Sequence, residues 1–247
     1  MDLPLRVGVA AYCLGTGIAA LLYQPPAFSL LFIEMDWSSS ATQTTVEVFS
    51  WALIVSTLVL VTRRATPLCG VATLWVLVEI ITRLISRQRF DELAPCTMSL
   101  RLVAPIAVML VSHNKTTVAA WALRLAACAT FAGHGVQAIQ GNPIFIDYML
   151  AATMMLGVDV SETAARETLF AIGILDVLAA GLLLLRPFRV VLYYMIIWGL
   201  ITAFARPVHS GWVGTADCLV RLIHSAAPLA ILLHYHYTKV TDQTRAR

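Results

Sequence analysis

The chain has 247 residues, of which 59% are hydrophobic and 13% are charged, and its mean hydropathy is +0.80. A soluble domain of this length would need far more charge to cover its surface, so the composition excludes one. The net charge is +3 and no basic stripe is interleaved with aromatic residues, so nothing indicates nucleic-acid binding. The predicted environment is the lipid bilayer, and the predicted class is an integral, multi-pass membrane protein.

Apolar stretches of about 20 residues recur along the chain, and this is the length needed to cross a bilayer core about 30 Å thick. They predict an all-α fold, a polytopic transmembrane helical bundle of about eight spans. In chain order the predicted spans are 5–24, 43–62, 67–86, 97–113, 118–140, 164–185, 188–206 and 214–236. Two semi-polar stretches, 25–42 and 141–163, follow the first and fifth spans, and we expect them at the membrane surface.

Basic residues fall mainly at one end of this arrangement and acidic residues at the other. The basic residues at the first end are Arg63, Arg64, Lys115, Arg186, Arg189, Lys239, Arg245 and Arg247. The acidic residues at the other end are Glu34, Asp36, Asp91, Glu92, Asp147, Asp159 and Glu162. By the positive-inside rule, both termini are predicted to be cytoplasmic.

The two halves of the chain resemble each other. The segment "LRVGVAAYCLGTGIAALLYQPP" at residue 5 aligns with "LRLAACATFAGHGVQAIQGNP" at residue 123, which pairs Arg6 with Arg124 and one G-x-G with another. Further along, "WVLVEIITRL" at residue 75 aligns with "WGLITAFARP" at residue 198, which pairs Arg83 with Arg206. Four spans are an even number, so both copies would insert with the same orientation. We therefore predict a parallel duplication about an axis along the membrane normal.

The predicted repeats are residues 1–116 and 117–247, with four spans each. An Arg near the start of the first helix, a later G-x-G and a Pro-led amphipathic stretch resemble the DoxX/DoxD-like membrane family, here as a tandem duplication of its four-span unit. The resemblance implies a redox-linked membrane subunit, often one associated with quinones or with thiol and sulfur redox partners. The 5 cysteines are scattered without a C-x-x-C pair, which disfavours direct thiol–disulfide exchange.

Ionisable residues inside the spans are functional candidates, because a charge in the membrane is costly unless it is paired or faces water. His134 is predicted in the outer part of the fifth span, where Gly133 and Gly135 would let a neighbouring helix or a flat ligand approach closely. His224 is predicted at the same depth in the eighth span. We expect a polar cavity that opens to the outer face and is covered by the two semi-polar stretches.

The predicted site residues divide into two groups. The candidate catalytic residues are His134, His224, Asp176 and Glu79, and the candidate ligand-binding residues are Arg83, Arg101, Arg206, Arg221 and Asp147. Asp176 is the one acid near the middle of a span, where a proton relay, an ion site or an interhelical hydrogen bond would fit. Glu79 precedes Arg83 by four residues on one helical face, which favours a structural ion pair over a catalytic role. Haem ligation by His134 and His224 is an open alternative to an interhelical role.

Three classes of function fit these residues. The first is a redox-linked, DoxX-like subunit or oxidoreductase with a redox protein partner; it would bind a quinone-type or other flat ligand. In it His134 or His224 would hydrogen-bond or protonate the ligand, and the arginines would stabilise negative charge. The second is a small membrane enzyme on a lipid-soluble substrate, such as an isoprenoid cyclase, with Asp176, Glu79 or Asp217 as its acid. The third is a transporter or a structural subunit of a membrane complex.

Overall fold

All regular structure in the described residues of the computed structural model is helical, as predicted. The structure describes residues 1–61 and 66–245, with the backbone alone at 61, 66, 67 and 237–245. The helices of the first half are α1 (Asp2–Leu22), α2 (Pro26–Ser29), α3 (Ser39–Val61), α4 (Thr66–Ser86), α5 (Ala94–Thr97) and α6 (Ser99–Ser112). Those of the second half are α7 (Thr116–Ile139), α8 (Pro143–Met155), α9 (Glu162–Leu185), α10 (Arg189–Ser210), α11 (Gly214–Arg221) and α12 (Ile223–Arg245).

Seven stretches of the described chain are long and apolar enough to cross a membrane, which fits an integral, multi-pass membrane protein. They are Asp2–Leu22, Ser39–Leu60, Leu68–Ser86, Asp91–Ser112, Thr116–Ile139, Glu162–Leu185 and Arg189–His236. The last stretch covers 48 residues and includes α10, α11 and most of α12, so it contains the predicted eighth span. The exact number of spans therefore stays a prediction. Helix α8, with 13 residues, is too short to cross, as expected for the second semi-polar stretch.

The predicted orientation in the membrane depends partly on basic residues whose side chains the structure does not describe. Arg63, Arg64 and Arg247 are not among the described residues, and the side chains of Lys239 and Arg245 are not described either. The cytoplasmic location of both termini stays a prediction from the distribution of charge.

The two halves interlock through their first and last helices. Helix α1 packs on α3 and also on α11 and α12, while α7 packs on α9 and also on α5 and α6. The glycines of α7 make this close packing feasible: a Cβ atom on Gly135 would lie 2.7 Å from the carbonyl oxygen of Gly173 in α9. On the other side, a Cβ atom on Gly133 would lie 3.0 Å from the Cβ atom of Cys96 in α5. Two helices thus occupy the space that the glycines flanking His134 leave open.

The last long helix of each half is interrupted near its start. The predicted spans contain no such interruption. One residue, Met98, separates α5 from α6, and one residue, Leu222, separates α11 from α12. Further on, Pro105 in α6 and Pro228 in α12 lack the N–H group that would bond the carbonyl oxygen four residues earlier. Those two carbonyl groups belong to Arg101 and His224. Both polar residues therefore lie in locally irregular helix, where backbone groups are available as partners.

Candidate functional site

A cavity of about 230 Å³ lies in the second half of the chain, between α7, α8, α9, α10 and the α11–α12 pair. Much of its lining is apolar and includes Phe131, Leu169 and Ile172. The histidines and charged residues on the lining are His134, Asp176, Arg206, Arg221 and His224. Five of the nine predicted site residues therefore lie on one cavity.

His134 and Arg221 form a hydrogen bond between α7 and α11. Arg221 Nη1 lies 2.8 Å from His134 Nε2, and His134 Nδ1 lies 3.3 Å from Gln137 Oε1. A guanidinium group can only donate, so we assign the lone pair to Nε2 and the proton to Nδ1, which then donates to Gln137. His134 is therefore a neutral imidazole with both nitrogens occupied. Gln137 follows His134 by one helical turn, a spacing that could have revealed this partner in the sequence.

His224 lines the cavity and has one buried nitrogen without a hydrogen-bond partner among the described residues. Its ring centroid lies 5.8 Å from that of His134, and its Nδ1 lies 3.0 Å from the backbone carbonyl oxygen of Arg221. A carbonyl group can only accept, so Nδ1 carries the proton. Nε2 is buried and has no hydrogen-bond partner among the described residues, and His224 as a whole is 3% exposed. An unsatisfied buried polar atom costs about 1–3 kcal/mol, so a ligand hydroxyl group or a water molecule would be stabilised at this nitrogen.

Arg206 is buried and held by α8 and by its own helix. Its Nη1 donates to the backbone carbonyl oxygen of Thr202, and its guanidinium lies 4.8 Å from the centroid of the Tyr148 ring. Because Tyr148 turns inward, the neighbouring Asp147 points about 100° away around the helix and is exposed. Asp147, predicted to bind a ligand, does not line the cavity. Tyr148 is not among the site residues predicted from the sequence, because an aromatic residue in a surface helix is typical of the membrane interface.

The predicted cover of the cavity is present only in part. Helix α8 contributes Phe145, Tyr148 and Met149 to the lining. None of residues 25–42, all of which the structure describes, contributes to it. The prediction that both semi-polar stretches cover the cavity is therefore wrong for the first one, because α2 packs on α3 and α4 in the first half.

Asp176 is held between α9 and α10. It is 4% exposed, and its Oδ1 accepts a hydrogen bond of 2.6 Å from the Tyr194 hydroxyl group. This interhelical bond is one of the three roles considered for Asp176. Tyr194 comes from a different helix, so residue spacing along the sequence gives no signal for the pair.

Glu79, Arg83 and Arg101 lie in the first half and do not line the cavity. Glu79 accepts a hydrogen bond of 2.9 Å from Trp75 Nε1, and Arg83 Nη1 lies 3.4 Å from Asp91 Oδ1. Among the described side chains no ion pair within 4.0 Å joins Glu79 to Arg83, so that prediction is wrong. The reason is that Asp91 follows the end of α4 and is the carboxylate that Arg83 reaches. Glu79 interacts electrostatically with Arg101 and less strongly with Arg83, and the buried Nε of Arg101 has no hydrogen-bond partner among the described residues.

The two arginines of the cavity have no ion-pair partner among the described side chains. Among the described side chains, no carboxylate oxygen lies within 4.0 Å of a guanidinium nitrogen of Arg206 or Arg221. Charges inside a membrane protein are stabilised by pairing or by access to water. The two arginines therefore favour a ligand with an anionic or electron-rich oxygen, while the apolar walls favour a lipid-soluble one.

Haem ligation by His134 and His224 together does not fit this arrangement. A ligand to iron must offer a free lone pair, and the lone pair of His134 accepts a hydrogen bond from Arg221. The guanidinium group would also place a positive charge where the metal has to bind. In the described part of the chain, no group of three or more His, Cys, Asp and Glu side chains could hold a metal ion.

No family model, curated protein sequence or solved structure matches this chain. The resemblance to the DoxX/DoxD-like family therefore stays a prediction from the sequence motifs.

Proposed function

We propose that this integral membrane protein binds a flat, lipid-soluble, quinone-type ligand in the cavity and acts as a redox-linked, DoxX-like subunit. The observation that carries the proposal is the set of polar groups that line the cavity. There the Arg206 and Arg221 side chains lie without a carboxylate partner within 4.0 Å among the described residues, and His224 Nε2 has no partner. A carbonyl oxygen could accept from the arginines, and a hydroxyl group could donate to His224.

The other residues of the cavity have supporting roles in this proposal. His134 orients the Arg221 guanidinium through its hydrogen bond of 2.8 Å, and Tyr148 orients that of Arg206. Phe131 and Phe145 border the space that a flat ring would occupy. A bound quinone would supply the redox chemistry, and a redox protein partner would supply or remove the electrons. The chain itself binds the ligand, orients it and exchanges hydrogen bonds with its oxygens.

The proposed architecture is eight spans in two parallel four-helix repeats, 1–116 and 117–247, with both termini cytoplasmic. The helix contacts support the repeat arrangement: α1 meets α3 and the α11–α12 pair, and α7 meets α9 and the α5–α6 pair. The aligned glycines follow the same pattern. A Cβ atom on Gly17 would clash with α3, as one on Gly135 would with α9, and a Cβ atom on Gly15 would clash with α11.

The two halves differ where their polar residues align. In the repeat register Glu79 corresponds to Thr202, and Arg101 corresponds to His224. The first half therefore carries a carboxylate and a guanidinium that interact with each other. The second half has the cavity at this position. We assign ligand binding to the second half and a structural role to Glu79 and Arg101.

One observation favours a second candidate function, an enzyme on an isoprenoid-like substrate. Asp176 lines the cavity and could act as an acid, whereas Glu79 does not line it. Turnover of a prenyl substrate that is lost in Asp176→Asn would support this function. The absence of any turnover of prenyl substrates by the wild-type protein would refute this second candidate function.

The test of the proposed function is ligand extraction from the full-length protein purified in detergent. Mass spectrometry of an organic extract should identify a quinone, and the absorption spectrum should change between the air-oxidised and dithionite-reduced states. An extract that contains only ordinary phospholipid, together with a spectrum that reduction does not change, would refute the proposal.

Matched variants test where the ligand binds. Arg206→Gln should reduce the extracted quinone at least roughly tenfold, since a charge-assisted hydrogen bond is lost. Arg83→Gln is the control, because Arg83 is the repeat counterpart of Arg206 but does not line the cavity. Equal losses in both variants would contradict binding in this cavity.

A further inference from the structure

A second cavity, of about 240 Å³, lies where α9 ends and α10 begins, next to α12. We call it the basic pocket; its lining includes Arg186, Arg189, Tyr235 and His236. It is distinct from the candidate functional site. Arg189 begins α10, and Arg206 lies about 25 Å further along the same helix at about 1.5 Å per residue.

The charged groups on the lining of the basic pocket are positive. Arg186 and Arg189 have no carboxylate oxygen within 4.0 Å among the described side chains. Arg189 Nη2 lies 3.3 Å from His236 Nδ1, and since a guanidinium group only donates, the imidazole accepts there and carries its proton on Nε2. No side chain caps the N-terminus of α10, so its first backbone N–H groups are available to donate to an anion.

The same pocket has an apolar border. Leu192 from α10 and Leu232 from α12 line it beside the basic groups. The end of the bundle where α9 gives way to α10 also carries Lys115, and the positive-inside rule predicts it to be cytoplasmic. Basic pockets between membrane helices on that side are suited to anionic headgroups.

We infer that the basic pocket binds a phosphate-bearing anion, whose source is either the headgroup of an anionic phospholipid or free phosphate. Phosphate oxygens accept hydrogen bonds from the arginine forks of Arg186 and Arg189. In a phospholipid, the glycerol and the first methylene groups would contact Leu232, which is partly exposed. This site needs neither the quinone-type ligand nor the cavity that contains His224.

The experiment titrates the full-length, detergent-purified protein with phosphatidylglycerol, phosphatidylcholine and inorganic phosphate and follows its thermal unfolding. We expect saturable stabilisation by phosphatidylglycerol or by phosphate but none by phosphatidylcholine. A response to phosphatidylglycerol alone assigns the site to the lipid headgroup, and a response to phosphate as well shows that the free anion is sufficient. The double variant Arg186→Gln/Arg189→Gln should weaken the apparent affinity about 25-fold, at about fivefold for each arginine.

Lys115→Gln is the matched control, because Lys115 is an exposed basic residue at the same end of the bundle and does not line the pocket. Its affinities should stay within about twofold of wild type. An equal response of the double variant and the wild type would overturn the inference. If the double variant cannot be purified, the wild-type titration decides: no saturable response to phosphate, and equal responses to the two lipids, would overturn it.

Discussion

Replacing Tyr194 with Phe removes one defined hydrogen bond, the contact of 2.6 Å between the Tyr194 hydroxyl group and Asp176. Interhelical hydrogen bonds within membranes contribute about 0.6 kcal/mol on average and about 1.7 kcal/mol at most. A hydrogen bond to a charged group is worth about 1.5–3 kcal/mol and has an O–O distance of about 2.5–2.7 Å. The observed distance matches the second case. We therefore expect Tyr194→Phe to lower the free energy of unfolding by about 2 kcal/mol.

The assay is thermal unfolding of the detergent-purified protein, where this loss corresponds to a fall in midpoint of about 4–8 °C. Tyr193→Phe is the matched control, because the neighbouring Tyr193 is 53% exposed and its variant should stay within about 0.5 kcal/mol of wild type. A double-mutant cycle with Asp176→Asn isolates the pairwise energy. A coupling below about 0.6 kcal/mol, or equal midpoints for the two Tyr→Phe variants, would refute a charge-assisted bond at this position.

Three other predictions follow from the packing and the site. Gly135→Ala should destabilise the protein by about 1–3 kcal/mol, since its Cβ would lie 2.7 Å from a carbonyl oxygen of α9. Gly181→Ala, with nothing within 4 Å of the new Cβ, should not lower the unfolding midpoint. Arg124→Gln removes hydrogen bonds of 2.7 and 2.8 Å to the last carbonyl groups of α9 and should cost about 2 kcal/mol. The exposed ion pair of Arg166 with Glu162 should contribute less than about 1 kcal/mol, so Arg166→Gln is the control. Chemical unfolding of Arg124→Gln and Arg166→Gln measures the difference between their unfolding free energies. Arg221→Gln should retain the fold, by its elution in size-exclusion chromatography, but lose the extracted ligand; an unchanged extract would contradict the assigned binding mode.

The sequence predicts the helices well, because the thickness of the bilayer sets a length that apolar stretches must match. The predicted fifth span, 118–140, corresponds to α7 at Thr116–Ile139, and the predicted sixth, 164–185, to α9 at Glu162–Leu185. The interruption between α11 and α12 was not predictable in this way. Hydropathy does not change at a one-residue break between helices, and the hydrogen bond from His224 to the Arg221 carbonyl group is a local three-dimensional feature.

Predicted depth groups residues by their level in the membrane but does not assign them to one cavity. His134, His224 and Arg206 share both a predicted level and the cavity, whereas Arg101 shares the level and lies in the other half. Depth measures position along the membrane normal, and the arrangement of helices around that axis comes from packing. For Glu79 the helical spacing gives two neighbours, one four residues before it and one four after. In the structure Glu79 bonds the earlier neighbour, Trp75, because the later one, Arg83, pairs with the carboxylate of Asp91 after the end of α4.

The hydrogen bonds from Arg124 to the backbone of Leu183 and Leu184 have a consequence for how the cavity can change shape. They fix the axial register of α7 against α9 at one end, and the contact between Gly135 and Gly173 fixes it again further along. Two walls of the cavity therefore behave as one rigid frame. Helix α8 is joined to that frame through Gly141 and near Gly157, both of which have a positive φ. Ligand exchange should therefore be controlled by displacement of this short helix, and its rate should respond to substitutions at the two joints.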